Sequence, residues 1–98
     1  MLDIDDIDNA KTVELVKTTG LTSKRIYAYH CDLRSREEIK AVSDSIRRDI
    51  GDPTIIVNNA GVQAFKSFIE CKEEEFMSTM RVNLFASYWI LKEFLPAM

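Results

Sequence analysis

Glycine is scarce and scattered in this chain: Gly20, Gly51 and Gly61 are the only three. That spacing excludes a glycine-rich turn of the kind that cradles a pyrophosphate at a helix amino terminus. Histidine is scarcer still, with His30 alone, and Cys31 and Cys71 lie forty residues apart with no Cys-x-x-Cys pattern. Neither a zinc site nor a disulfide framework is indicated, and a reducing compartment fits best. Apolar runs fall far short of a membrane span, and "MLDIDDID" has neither the basic nor the apolar region of a secretory leader. The 13 basic residues are scattered against 16 acidic ones, for a net charge of -3. No basic patch is available to track a phosphate backbone, so nucleic acid is not an expected partner.

What remains is a chain of 98 residues, 46% hydrophobic, long enough for one domain at most. A chain of that size buries roughly 60 to 65% of its unfolded surface, so its core is thin. "DNAKTVELVKTTG" puts Ala10, Val13, Val16 and Leu15 toward one helical face, with Lys17 in the last turn and Gly20 as the cap. "KRIYAYHCDL" reads as a strand of about six residues ending at Asp32. In "SREEIKAVSDSIRRDIGDP", Ser35 and Glu38 form a capping box, and Ile39, Val42, Ile46 and Ile50 follow at helical spacing. Gly51 and Pro53 stop that helix.

"IIVNNAGV" comes next: Ile55, Ile56 and Val57 read as a strand buried on both faces, which belongs in a parallel sheet. The chain leaves it through Asn58, Asn59, Ala60 and Gly61, at the carboxyl edge where open α/β sheets bind ligands. Amides there hydrogen-bond without imposing a charge. A last helix spans about Glu73 to Phe94, with three glutamates in its first turn, and Pro96 closes it. "MLDI" looks like the stub of a further strand. Helix and strand alternate, so the expected fold is α/β: a parallel sheet with βαβ crossovers. So narrow a sheet leaves edges open, and the chain reads as truncated at both ends.

"VNNAGV" after an apolar strand, "CDL" ending the previous strand and "VNLFASYW" in the following helix resemble the middle of a short-chain dehydrogenase/reductase. The ending "LKEFLPAM" is similar to the branch containing retinol and hydroxysteroid dehydrogenases. The resemblance implies that residues 1–98 are the central part of a single NAD(P)-binding Rossmann domain. It makes Asp3 the acidic residue at the end of the second strand, binding the adenosine ribose hydroxyls. The choice of Asp3 over Asp5 and Asp6 rests on a register inferred from the distance to Gly20. An aspartate facing a 2'-phosphate at ~4 Å meets repulsion of roughly 4 kcal/mol per unit charge at an effective dielectric near 20, so NAD is favoured over NADP. Asp32 and Leu33 resemble the adenine contacts. Asn59, Ala60 and Gly61 would run beside the cofactor ribose, where larger side chains would obstruct the backbone's approach. Asn58 would tie neighbouring strands together.

Asn83 resembles one member of the family's catalytic tetrad. Asparagine inside a helix costs up to about 0.7 kcal/mol relative to alanine. The family's reason for it is a perturbed helix that holds a water in the proton relay. The tetrad's tyrosine, lysine and serine have no counterparts: Tyr88 and Lys92 match Tyr-x-x-x-Lys, but they lie in the same helix as Asn83 and too close to it. Tyr88 belongs instead with Leu84, Leu91 and Leu95 on an apolar surface, with Phe85 and Trp89 beside it. His30 reads as a strand residue with a hydrogen-bonded ring.

The resemblance thus implies an oxidoreductase moving a hydride between nicotinamide and an alcohol or ketone, with the 98 residues alone inactive. It also implies a homodimer contact through helix 73–94. A cytoplasmic location is expected, or membrane attachment through a segment upstream. The rival expectation is a non-catalytic interaction protein that docks on a full-length relative through its last helix.

Overall fold

The computed structural model describes residues 1–20 and 25–98. They fall into two compact units, Met1–Asp32 and Leu33–Met98.

The first unit is a βαβ. Strand β1 (Leu2–Asp3) pairs in parallel with β2 (Tyr29–His30), in the register Leu2 to Tyr29 and Asp3 to His30. The pairing reaches past these limits, since Tyr29 N–H donates to Met1 O at 2.9 Å and Cys31 N–H to Asp3 O at 2.8 Å. The expected strand of about six residues is therefore a two-residue ladder with single bonds either side, and Lys24, which begins the stretch that carries it, lies outside the described residues. The crossover helix α1 (Asp6–Thr18) begins earlier than its periodicity suggested. Asp5 explains this: its carboxylate accepts from Ile7 and Asp8 N–H, both at 3.0 Å, so the acidic run supplies an N-cap. Gly20, at φ 66°, follows the C-cap Thr19 in the left-handed conformation.

The inward face of α1 is not the expected one. Val13 and Val16 are half-buried, while Ala10 and Leu15 face solvent. The buried residue is Asn9, 6% exposed, whose Nδ2 donates to Tyr29 O at 3.3 Å. A polar side chain is tolerated there because it is hydrogen-bonded.

In the second unit, α2 (Arg36–Asp49) packs on the last helical stretch. Ser35 Oγ accepts Glu38 N–H at 3.2 Å, and Gly51 at φ 109° follows the helix end, as the sequence required. Ile39 and Ser43 of α2 are buried, as are Ala86, Ile90 and Phe94 across from them. Val42 and Ile46 are half-buried and Ile50 is exposed. Arg47 clasps the pair: its guanidinium lies 5.2 Å from the Phe94 ring centroid and donates to the Glu93 carbonyl, while Nη1 pairs with Asp44 at 3.1 Å.

The strand expected at Ile55–Val57 is absent. The stretch has no regular structure, and Ile55 and Val57 are 80% and 81% exposed. Strands are made by their neighbours, and the described residues pair only β1 with β2.

The last helix is interrupted. Helix α3 (Glu73–Met80) passes into a π-helical turn, Arg81–Phe85, before α4 (Ala86–Phe94) and a 3-10 turn, Leu95–Ala97, that contains Pro96. Ala86 N–H reaches back five residues to Arg81 O. No helix among the described residues is long and apolar enough to cross a membrane.

Candidate functional site

The π turn is centred on Asn83, and the reason is visible in what its side chain holds. Oδ1 accepts from Val62 N–H and Nδ2 donates to Val62 O, each at 2.8 Å. One carboxamide thus satisfies both polar groups of one backbone residue, as a neighbouring strand would. An extra residue in the helical turn lets that side chain meet the loop, and single π turns of this kind concentrate at functional positions. The exposed stretch Asn58–Gly61 is therefore pinned at its far end to the middle of the last helix.

Gly61 sits under the same clasp. A Cβ built on it would lie 3.6 Å from Asn83 Oδ1, an ordinary contact, and its φ is not left-handed. Nothing in the chain's own packing demands glycine at this position. Asn59, Ala60 and Gly61 present an uncharged, exposed surface.

Beyond Val62 the loop is held again by Glu75. Its Oε2 accepts Lys72 N–H at 3.0 Å, and Oε1 pairs with the Lys66 ammonium. The Lys66 hydrogen bond and the Lys72 N–H hold the Glu75 carboxyl below its usual value of 4.5, and Glu75 raises Lys66 above 10.5. Neither Glu75, Lys66 nor Val62 was singled out as a site residue from the sequence. The ties run nine and twenty-one residues along the chain, with no local pattern to announce them.

In the first unit, Asp3 ends β1, and its Oδ1 accepts Asp5 N–H at 3.1 Å. Asp5 is committed to capping, and Asp6 Oδ1 lies 3.0 Å from His30 Nδ1. His30 thus has the hydrogen-bonded ring expected of it. Asp32 follows β2 by two residues, so Asp3 and Asp32 lie at the same carboxyl edge of the two-stranded sheet. Asp32 and Leu33 are half-buried.

Tyr88 and Lys92 flank a recess of about 100 Å³ with Arg36, Ile39, Trp89 and Glu93. Tyr88, Leu84 and Leu95 are exposed on the stripe proposed for them, and Phe85 stacks obliquely on Trp89 with centroids 5.9 Å apart.

Comparison with known proteins identifies the family. Residues 4–98 match the family described as short chain dehydrogenase. Epidermal retinol dehydrogenase 2 of Homo sapiens is 36% identical over 96 residues, covering 98% of this chain and 30% of the relative. Retinol dehydrogenase 10-A of Xenopus laevis is 39% identical over 74 residues, 76% of this chain and 22% of the relative. Among solved structures, a metagenomic short-chain oxidoreductase in complex with NADP superposes with TM-score 0.86 at 28% identity, over 99% of this chain and 43% of that one. An alcohol dehydrogenase from the archaeon Thermococcus sibiricus, complexed with 5-hydroxy-NADP, gives TM-score 0.78 at 30% identity, over 94% of this chain and 39% of that one. The chain belongs to the short-chain dehydrogenase family, and its α/β architecture is part of that family's Rossmann fold. It spans about 30% of the length of the curated relatives it matches over most of its own length.

Proposed function

We propose that this sequence forms the central part of a single Rossmann domain in an NAD-dependent oxidoreductase acting on an alcohol or ketone. The observation that carries the reading is the Asn83 clasp: a helix interrupted at one asparagine whose amide fixes the residue after Asn-Asn-Ala-Gly. Asp3 takes the adenosine ribose hydroxyls and Asp32 with Leu33 the adenine. Asn59, Ala60 and Gly61 run beside the second ribose, and Asn83 supports the proton relay. When bound, the nicotinamide would accept a hydride from an alcohol or give one to a ketone.

The residues suit such a cofactor. Asp3 is exposed and adjoins Asp5 and Asp6 in an acidic run, while Asp8 is paired with Lys11 at 3.1 Å, and the negative charge at this strand end disfavours a 2'-phosphate. The stretch from Asn59 to Gly61 is exposed, small or amidic, and free of charge. The retinol dehydrogenase names of the relatives point to an apolar alcohol as substrate. The 98 residues by themselves are expected to show no turnover, since the tyrosine and lysine of the tetrad have no counterparts in them. The exposed stripe Leu84, Tyr88 and Leu95 favours a homodimer contact, or docking on a relative if the chain acts alone. A cytoplasmic location is the accompanying expectation.

The test is cofactor preference in the natural polypeptide carrying this sequence. Asp3→Ser should shift the NAD to NADP ratio of kcat/KM toward NADP by at least about tenfold, a change of roughly 1.4 kcal/mol. An unchanged ratio would remove Asp3 from the ribose site, and no reduction of either cofactor with any alcohol would remove the activity.

A further inference from the structure

At the carboxyl end of the two-stranded sheet the chain gathers Asp3, Asp5, Asp6 and its one histidine, His30. Asp3 and His30 are register partners in parallel strands, so their Cα atoms stand about 4.8 Å apart and their side chains leave the same face. The backbone on either side of His30 is tied. Tyr29 N–H donates to Met1 O at 2.9 Å and Tyr29 O accepts from Asn9 Nδ2 at 3.3 Å, while Cys31 N–H donates to Asp3 O at 2.8 Å. His30 therefore has a set place beside Asp3. Its ring is oriented as well, because Nδ1 lies 3.0 Å from Asp6 Oδ1. An ionised carboxylate only accepts, so Nδ1 carries the hydrogen and Nε2 is left to gain or lose a proton. The side chains of His30 and Asp6 are 52% and 72% exposed, open to solvent and to a ligand.

The carboxylates here are not equally free. Asp5 caps α1 through Ile7 and Asp8 N–H, and Asp6 faces His30, which leaves Asp3, whose Oδ1 takes Asp5 N–H, at the strand end assigned to the ribose. Solvent-facing ion pairs add little to stability, so stability alone gives no account of a histidine at this point. Charge does. Resting on the oxidoreductase reading above, we propose that His30 sets how strictly the cofactor site refuses a 2'-phosphate: neutral, it leaves the acidic edge of Asp3, Asp5 and Asp6 unopposed, and protonated, it sets a positive charge beside Asp3. Histidine is the side chain that changes charge between about pH 5 and 8. NAD is then selected most sharply above that range, and the selection relaxes below it. The charged groups around the ring are Asp6 from α1, Asp3 from β1 and, two residues further along its own segment, Asp32. All are acidic, so a charge gained by the ring cancels part of theirs.

The experiment is direct binding of NAD and NADP to the natural polypeptide, by titration calorimetry at about pH 8 and about pH 5.5, toward either end of the histidine range. The quantity read is the ratio of the NADP Kd to the NAD Kd. It should fall on acidification at least about threefold more in the natural protein than in His30→Gln, the scale of one solvent-facing charge contact. The variant is the necessary reference, because a phosphate's second ionisation falls at about 6 and the 2'-phosphate titrates in the same range. His30→Arg, charged at both pH values, should hold the low ratio throughout. An equal response in the natural protein and His30→Gln would assign the change to the phosphate and overturn the proposal, as would an arginine variant indistinguishable from the glutamine one. Asp3→Ser moving the ratio while both His30 substitutions leave it alone would keep the ribose site and remove the histidine from it. Binding of neither cofactor would sink the oxidoreductase reading itself, and this proposal with it.

Discussion

Asn9 and Asn83 are both asparagines inside helices, and both tie their helix to the backbone of another segment. Asn9 is buried, makes one bond of 3.3 Å to Tyr29 O, and leaves α1 regular. Asn83 is exposed, makes two bonds of 2.8 Å to Val62, and sits in a turn of π geometry. Each bears the same small helix-propensity cost. What differs is what each side chain holds. Asn9 is satisfied by the space its unit already provides, so it acts as a brace within a packed βαβ. Asn83 sits in an interrupted helix and holds an exposed loop, where burial gives no account of it.

The comparison breaks most visibly at Asn83. Replacing it with alanine removes both bonds to Val62 and the reason for the extra residue in the turn. Turnover in the natural polypeptide should fall on the order of 10²-fold or more, the scale of a lost proton-transfer contribution. The Val62 amide should lose its protection from hydrogen exchange at the same time. Asn83→Asp keeps an acceptor for Val62 N–H but loses the donor to Val62 O, so its effect should lie between. If Asn83→Ala left both turnover and exchange unchanged, the two asparagines would be equivalent braces.

Asn9→Ala sharpens the contrast from the other side. One hydrogen bond is worth about 1 kcal/mol net, offset in part by the better helix propensity of alanine, so a stability loss of about 0.5 to 1 kcal/mol is expected. Urea unfolding measures it. Turnover per folded molecule at saturating NAD should hold steady, and a large loss there would mean that the Asn9 brace also positions Asp3 or Asp32.

Local signals were legible and distant ones were not. Ser35, the spacing of Ile39, Val42 and Ile46, and Gly51 mark α2 from within its own fourteen residues, and the helix formed where they say. The cost of Asn83 in a helix marked the residue, but the interruption itself was implied only by the family resemblance. Ile55–Val57 has the composition of a central strand, but a strand is completed by partners elsewhere, and composition cannot supply them. Asp5 was hidden by its neighbours: in "DIDD" only the turn geometry separates a capping carboxylate from one at a strand end. Val62 was invisible for another reason, since its role is carried by backbone atoms that every residue has.

The smallest expected effect is the pH response of the second clasp on the same loop, Lys66 with Glu75. The carboxyl of Glu75 is held below its ordinary value of 4.5 by the Lys66 hydrogen bond, so the clasp's contribution is present above that value and is lost as pH falls through the depressed one. Lys66 is raised above 10.5 by Glu75, so its contribution is present below that value and is lost as pH rises through the raised one. The clasp is therefore closed across the whole range between, and both groups are solvent-facing, so salt should weaken it. Exchange of the Lys72 amide, which donates to Glu75, should be slowed at neutral pH and quicken, relative to its intrinsic rate, toward acid. Glu75→Gln should flatten that dependence while leaving the Val62 amide protected by Asn83. A simultaneous loss of protection at both amides would show that the loop is held as one piece rather than by two separate clasps.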